Sequence, residues 1–462
     1  MSTVELQFEA GGALTEDRPI PKASGYPILG ILPKLKGDQL RYFVNLVGEL
    51  GDMIELPLGP NNVLMLNHPH AIEQVMQRNA KNYHKSRYYG PLKPILGDGI
   101  FLAEDEIWLR QRRTAVPSFQ GCQLKRMTDI MRQATEEMLE GWQATYKRDE
   151  PLDLVPAMTQ VTLDIVLRTL LSYRIEASSR DVMSALTVLL QEAERRVWAL
   201  LPLPLSVPTP ANRRLKRSLD VLDQLVEGIV QQRQASGERG DDLLQLLIDA
   251  QPEMQAAGMP GTLLRDQVLS TILAGHETTA NALSWTFILL SKNPDVRRRV
   301  EAELAEVLGG RQPDFQDLHA LTYTKQVFFE AMRLYPPVWT LSREAMADDE
   351  ILGRHVAKGT TVMLCSYAVH RRPEYWPNPE GFDPDRFSPE AQESRPRHAY
   401  FPFGGGPRKC LGERFAILEA LIILASVLQR FRLDLTPGQD VRPEPMITLR
   451  PSGSVQMTLT EV

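Results

Sequence analysis

The chain reads as mainly α-helical with a small β component, an α+β molecule, and three observations carry that expectation. Helical periodicity dominates from about Glu104 onward, in segments near 124–147, 153–173, 180–201 and 211–235 separated by proline or glycine. Leu263 to Lys292 forms the longest unbroken pattern and is stopped by Asn293-Pro294. At 1.5 Å per residue such a helix runs roughly 45 Å, enough to cross the molecule. Strand-like alternation is confined to short stretches: Met53 to Leu58 and Val63 to Leu66 around Gly59-Pro60, and Pro443 to Leu459. Gly353 to Leu364 reads as a hairpin built on Lys358-Gly359.

Residues 1–22 are polar and without period, which predicts a mobile tail, and residues 23–462 then read as a single domain. No internal repeat or long linker interrupts it. A net charge of −6 argues against nonspecific nucleic-acid binding. Basic residues cluster at Arg110, Arg112 and Arg113, at Arg297 to Arg299, and at Arg408 and Lys409. Three cysteines, Cys122, Cys365 and Cys410, are too few and too scattered for a disulfide framework, so a reducing cytoplasm is expected. There is no signal-peptide pattern and no apolar run long enough for a membrane span.

Two places break the pattern in ways that suggest chemistry. Cys410 lies between the glycines at 404, 405 and 406 and an apolar stretch in which Phe415, Leu418, Ile422 and Ala425 share a helical face. A cysteine at a helix N-terminus meets free N–H groups and the positive end of the dipole, which favour a thiolate able to bind a metal. The middle of the long helix reads Ala274-Gly275-His276-Glu277-Thr278-Thr279 between apolar flanks. Polar residues inside a buried helix are unfavourable on burial grounds, and such violations mark function. The bland alternative is that Thr278 bonds back to the Ala274 carbonyl and bends the helix.

Phe403 to Gly412 matches Phe-x-x-Gly-x-Arg-x-Cys-x-Gly at every fixed position, and on it the chain resembles the cytochrome P450 superfamily. The Ala274 to Thr279 segment is similar to that family's Ala-Gly-x-Glu/Asp-Thr-Thr motif. Glu330-Ala-Met-Arg333 matches its Glu-x-x-Arg, with Arg386 downstream, and Trp108-x-x-x-Arg112 its Trp-x-x-x-Arg. The resemblance implies haem b as cofactor, with Cys410 as the axial iron ligand and Phe403 beside it. It implies that Arg408, Trp108, Arg112 and Arg343, with Lys85 as a further cation, meet the propionates. It further implies that Gly275 and Ala274 leave room for O2, the co-substrate, and that Glu277 and Thr278 deliver protons. His276 occupies a variable position and is expected not to be a ligand. Glu330, Arg333 and Arg386 are expected to be structural.

The expected activity is therefore that of a haem-thiolate monooxygenase hydroxylating or epoxidising a lipophilic molecule, a fatty acid or terpenoid. Apolar residues at Tyr88, Leu92, Ile95, Trp198, Leu273, Ala274, Val338, Leu341 and Ile447 are the candidate pocket. The chain stops where a haem domain would end, so electrons are expected from a separate ferredoxin or flavodoxin with its reductase, docking near Lys409, Arg113 and Arg126. A peroxide-driven peroxygenase, a non-oxygenating haem-thiolate enzyme and a haem-based sensor are the alternatives. The intact Glu277-Thr278 pair argues against each.

Overall fold

A computed structural model describes residues 19–174, 179–197, 199 and 203–462. Residues 1–18 of the expected tail, and the pocket candidate Trp198, lie outside the described residues. Within the expected tail, Pro21 and Lys22 are fastened to a strand. The Glu55 N–H donates to the Pro21 carbonyl at 2.8 Å, and Lys22 Nζ donates to Glu55 at 2.6 Å.

The helices in chain order are α1 Gln39–Leu50, α2 Pro69–Glu73, α3 Lys93–Leu96, α4 Asp105–Ala115, α5 Gly121–Lys147, α6 Leu154–Leu170, α7 Ser179–Val197 and α8 Pro210–Ser236. They continue as α9 Leu243–Ala256, α10 Leu263–Lys292, α11 Pro294–Leu308, α12 Thr322–Leu334, α13 Ser366–Val369, α14 Pro389–Glu393 and α15 Glu413–Leu428. The strands are β1 Met53–Leu58, β2 Asn61–Leu66, β3 Tyr83–Lys85, β4 Leu152–Asp153, β5 Leu341–Ala345 and β6 Asp349–Ile351. After them come β7 Arg354–Val356, β8 Thr361–Leu364, β9 Phe431–Leu435, β10 Pro443–Pro445, β11 Leu449–Pro451 and β12 Gln456–Glu461. This is the expected mainly-α architecture with small sheets.

The long helix α10 spans the residues expected of it and is wrapped by α6, α8, α9, α11, α12 and α15. Burial on nearly all sides explains why it is apolar around its circumference away from the 274–279 segment. Pro294 cannot continue it and opens α11 instead. One large apolar cluster joins α5, α6, α10 and α15, and two smaller ones sit under the sheet.

The largest sheet has the order β1-β2-β8-β5-β3, with β2 and β8 parallel and the other pairs antiparallel. Here the expected hairpin on Lys358-Gly359 does not form. The hairpin is β6–β7, turning at Leu352-Gly353, where both residues have positive φ. Lys358-Gly359 is a turn too, but it sends the chain from that ribbon into β8 of another sheet. The reason is tertiary: the Gly359 N–H donates to the Ala345 carbonyl of β5, so β8 pairs with β5 and β2 rather than with β7.

Candidate active site

Cys410 precedes α15 by three positions, after a loop whose Phe403 carbonyl accepts the Cys410 N–H at 2.9 Å. Gly404 and Gly406 adopt positive φ of 70° and 61°, which only glycine adopts without strain. At Gly406 a Cβ would also lie 1.9 Å from the Met76 carbonyl oxygen, so the close approach that needs glycine is to backbone. The Cys410 side chain has accessible surface although protein surrounds it, and so it faces an interior space. Burial pushes the thiol up to about 11, outweighing the Gly412 N–H and the Arg112 and Lys409 cations. A metal cation would reverse that balance, because a coordinating thiol is deprotonated outright.

Beside this loop lies a group of cations with too few anions. Arg408 pairs with Glu104, donates to the Ala103 carbonyl at 3.1 Å, and covers the Trp108 ring at 4.4 Å. Lys85 and Arg343 are partners across β3 and β5. Lys85 Nζ lies over the rings of Tyr89 and Phe101 and has no carboxylate bonded to it among the described residues. Burial, then repulsion by Arg343 and Arg408, drives its pKa well below the usual lysine range. Among the described residues, the Arg343 guanidinium donates only to the neighbouring Ser342 carbonyl. Arg112 sits within electrostatic reach of Cys410. Enclosed cations that outnumber the carboxylates acting on them, Glu104 and Asp105, call for a ligand with negative charge, and a macrocycle with two propionates fits them.

On α10, Ala274 is exposed in mid-helix and thus borders interior space, and Gly275 beside it is half-buried. A Cβ at Gly275 would lie 2.7 Å from Val166 Cγ2. The absent side chain of Gly275 thus lets α6 pack closely against α10. Thr278 Oγ1 does donate to the Ala274 carbonyl, at 2.9 Å. Thr271, Ser284 and Thr286 make the same bond along α10, so it distinguishes no role. His276 is buried with Nδ1 against the Ile272 carbonyl at 2.7 Å, and burial lowers its pKa. Glu277 Oε1 accepts from Asn281 and from Thr448.

The charges expected to be structural form a lock. Arg333 holds Glu330 through two bonds of 2.7 and 2.8 Å, with both side chains fully buried. Its remaining hydrogens go to the carbonyls of His370, Pro379 and Gly381. Arg386 Nε lies 3.4 Å from Glu330 Oε1 without hydrogen-bond geometry, and Arg386 donates to the Asn378 carbonyl at 2.9 Å. The segment leading to Cys410 is thus bolted to α12.

The family model for cytochrome P450 matches residues 20–459. The chain belongs to the cytochrome P450 family. It is 35% identical to cyclooctatin synthase of Streptomyces melanosporofaciens over 92% of each chain. It is 34% identical to cyclooctat-9-en-7-ol 5-monooxygenase of the same organism over 89% of each. To pentalenene oxygenase of Streptomyces avermitilis it is 31% identical over 91% of this chain and 92% of that one. The cofactor is accordingly haem and the activity O2-dependent monooxygenation, for which P450s draw electrons from redox partners.

Among the P450 pocket candidates, Leu92 and Ile95 are packed out of solvent, whereas Tyr88, Leu273, Val338, Leu341 and Ile447 are half-buried. The Arg265 guanidinium ties the Ile95 carbonyl to the start of α10 at 3.1 Å. A surface cleft of about 270 Å³ between α4 and α9, lined by Arg110, Arg113 and Glu253, shares no residue with these. The basic clusters are largely neutralised by the chain itself. Arg297, Arg298 and Arg299 pair with Asp434, Asp295 and Asp385, Lys409 with Glu413, and Arg126 with Asp241. No helix among the described residues is long and apolar enough to cross a membrane.

Three residues escaped sequence reading. Asn281 and Thr448 hold Glu277; Asn281 carries a signal, standing one turn after the acid, while Thr448 lies far away in sequence. Glu419 is fully buried on α15 and faces the Thr279 hydroxyl, with no other polar partner for its oxygens among the described residues. Burial raises its pKa well above the usual carboxylate range. An acid inside an apolar helix is the same kind of violation as in α10.

Proposed function

We propose that this P450 hydroxylates a terpenoid, with Cys410 as the thiolate that would hold the haem iron. Lys85, Trp108, Arg112, Arg343 and Arg408 would hold the propionates, and Phe403 would pack beside the sulfur. Bound haem supplies activation of O2 and oxidation of an unactivated C–H bond. The chain's own task is then to admit an apolar substrate and bring protons to one place in a dry interior. Ala274 leaves the opening, Thr278 Oγ1 presents the last hydroxyl, and Glu277 collects protons from solvent. Tyr88, Leu273, Val338, Leu341 and Ile447 orient the substrate.

The observation that carries this reading is the enclosed cation group around a cysteine, set in one fold with an acid–alcohol pair on α10. Relatives named for cyclooctat-9-en-7-ol and pentalenene favour a terpenoid. The fatty-acid option lacks an anchor, since β2 carries no cation for a carboxylate. Electrons come from a separate ferredoxin or flavodoxin in the cytoplasm. The self-paired Lys409 and Arg126 leave Arg113 as the docking cation of the original three.

The test has two arms. The reduced carbonyl complex of the wild type should show the strongly red-shifted band of thiolate haem, and Cys410→His should lose it. Thr278→Ala should keep consuming electrons while diverting them to peroxide, with product falling by about tenfold to a hundredfold. Unchanged coupling in Thr278→Ala removes that residue from proton delivery. A terpenoid panel, read by the spin-state change of the haem, identifies the substrate; a response to fatty acids alone overturns the terpenoid assignment.

A further inference from the structure

Glu277 is held by neutral groups from two distant parts of the chain. Thr448 Oγ1 donates to Glu277 Oε1 at 3.0 Å, and Asn281 Nδ2 donates to the same oxygen at 3.1 Å. Asn281 Nδ2 also donates to Thr448 Oγ1 at 3.1 Å. The three side chains close a ring whose directions are set by chemistry. Asn281 has two N–H groups, one for each partner, and Thr448 receives one bond while spending its only hydrogen on the acid. Asn281 and Thr448 are both buried, and Glu277 has no ion-pair partner among the described residues.

Thr448 is itself immobilised. It belongs to a turn in which the Met446 N–H donates to the Thr448 carbonyl at 3.1 Å. The Trp339 indole donates to the Met446 carbonyl at 2.8 Å and the Trp285 indole to the Leu449 carbonyl at 3.3 Å. The Leu449 N–H donates to the Pro337 carbonyl at 2.8 Å. Two tryptophans and a backbone bond thus fix the turn that carries Thr448, and with it Ile447 of the proposed pocket.

We infer that Thr448, acting with Asn281, is a positioning residue for proton delivery: it fixes the Glu277 carboxyl so that Oε1 only accepts and Oε2 alone takes up and releases the proton. Oε2 accepts no bond from a described residue, whereas both donors point at Oε1. A proton from solvent binds Oε2, is passed towards the Thr278 hydroxyl, and is replaced from solvent, so Glu277 ends unchanged. A glutamate free to turn about its three side-chain torsions would present either oxygen in many orientations, and orientation carries much of the rate in such a step. The ring also couples the acid to the pocket wall through Ile447. This inference rests on the proposed role of Glu277 and refines it.

The experiment compares Thr448→Val, Thr448→Ser and Glu277→Gln with the wild type as haem-loaded enzymes, using O2 as the only acceptor and a surrogate ferredoxin with its reductase. The carbonyl spectrum of each variant first establishes that it is folded and holds haem. Thr448→Val is expected to raise the share of electrons ending as peroxide by about threefold to tenfold. It is also expected to shift the infrared band of the Glu277 carboxylate, a band identified by its loss in Glu277→Gln. Thr448→Ser should restore both. If Glu277→Gln raises peroxide while Thr448→Val leaves both peroxide and the band unchanged, the positioning role is overturned and the role of Glu277 stands. If Glu277→Gln leaves peroxide unchanged, the role of Glu277 falls, and the positioning role with it.

Discussion

Lys85, Arg343 and Arg408 show how single residues declare a ligand by being unsatisfied. Enclosed cations repel, and the carboxylates of Glu104 and Asp105 do not offset them. Arg343 makes the case most sharply, because its own side-chain bond goes to an adjacent carbonyl. Replacing it by methionine should remove a propionate partner while relieving repulsion on Lys85. Haem loss to an excess of a haem-scavenging apoprotein should then be about tenfold faster, a charge-assisted bond being worth roughly 1.5–3 kcal/mol. An unchanged rate would remove Arg343 from the propionate set. At this scale the motif residues were legible in sequence because their chemistry is local. Lys85 was legible only as a residue of uncertain use, since its neighbours come from β5 and from the loop before Cys410.

Elements explain what motifs do not. Burial all round α15 accounts for its run of leucine, isoleucine and alanine, and makes Glu419 costly unless neutral. The sign of its pH dependence follows. Its folded pKa lies above the ordinary 4.5, so the native state holds a proton that the unfolded state has given up over the window above that value. Its contribution therefore falls as pH rises through that window. Glu419→Gln should gain urea midpoint relative to wild type on going from about pH 5 to about pH 8. A constant difference would mean that the acid is ionised or solvated. The Gly275 result has the same origin. A glycine beside Ala274 suggests room on every side, yet Val166 of α6 fills the space its side chain would take. The 353–364 segment misled similarly, since a turn signal at Lys358-Gly359 says that the chain bends and not which sheet receives it.

Across the whole molecule, the Glu330, Arg333 and Arg386 lock joins α12 to the segment before Cys410, and through it the sheet side to the helical side. Truncating one member leaves a buried charge unpaired, at a cost of about 3–5 kcal/mol. Glu330→Gln should therefore lower the thermal midpoint and the fraction of purified protein that retains haem. A variant that unfolds as the wild type does and keeps its haem would mean that the buried pair adds no net stability. Haem should in turn raise the thermal midpoint of the wild type over its haem-free form, because a ligand that binds only the folded state stabilises it in proportion to its affinity and concentration.

The residue order alone determined the helix α10 with its end at Pro294, the cysteine loop, the acid–alcohol pair and the pairing of Glu330 with Arg333. Each is encoded within one turn or one loop, where period, capping and spacing act directly. Tertiary structure decided what lies against them. It set Val166 in the space beside Gly275, sent β8 to β5, and brought Thr448 to Glu277 across 171 positions of chain. It also enclosed Cys410, whose thiol burial pushes up in the absence of a metal cation. Contacts between distant segments follow from packing and burial, and neither is written in a local window.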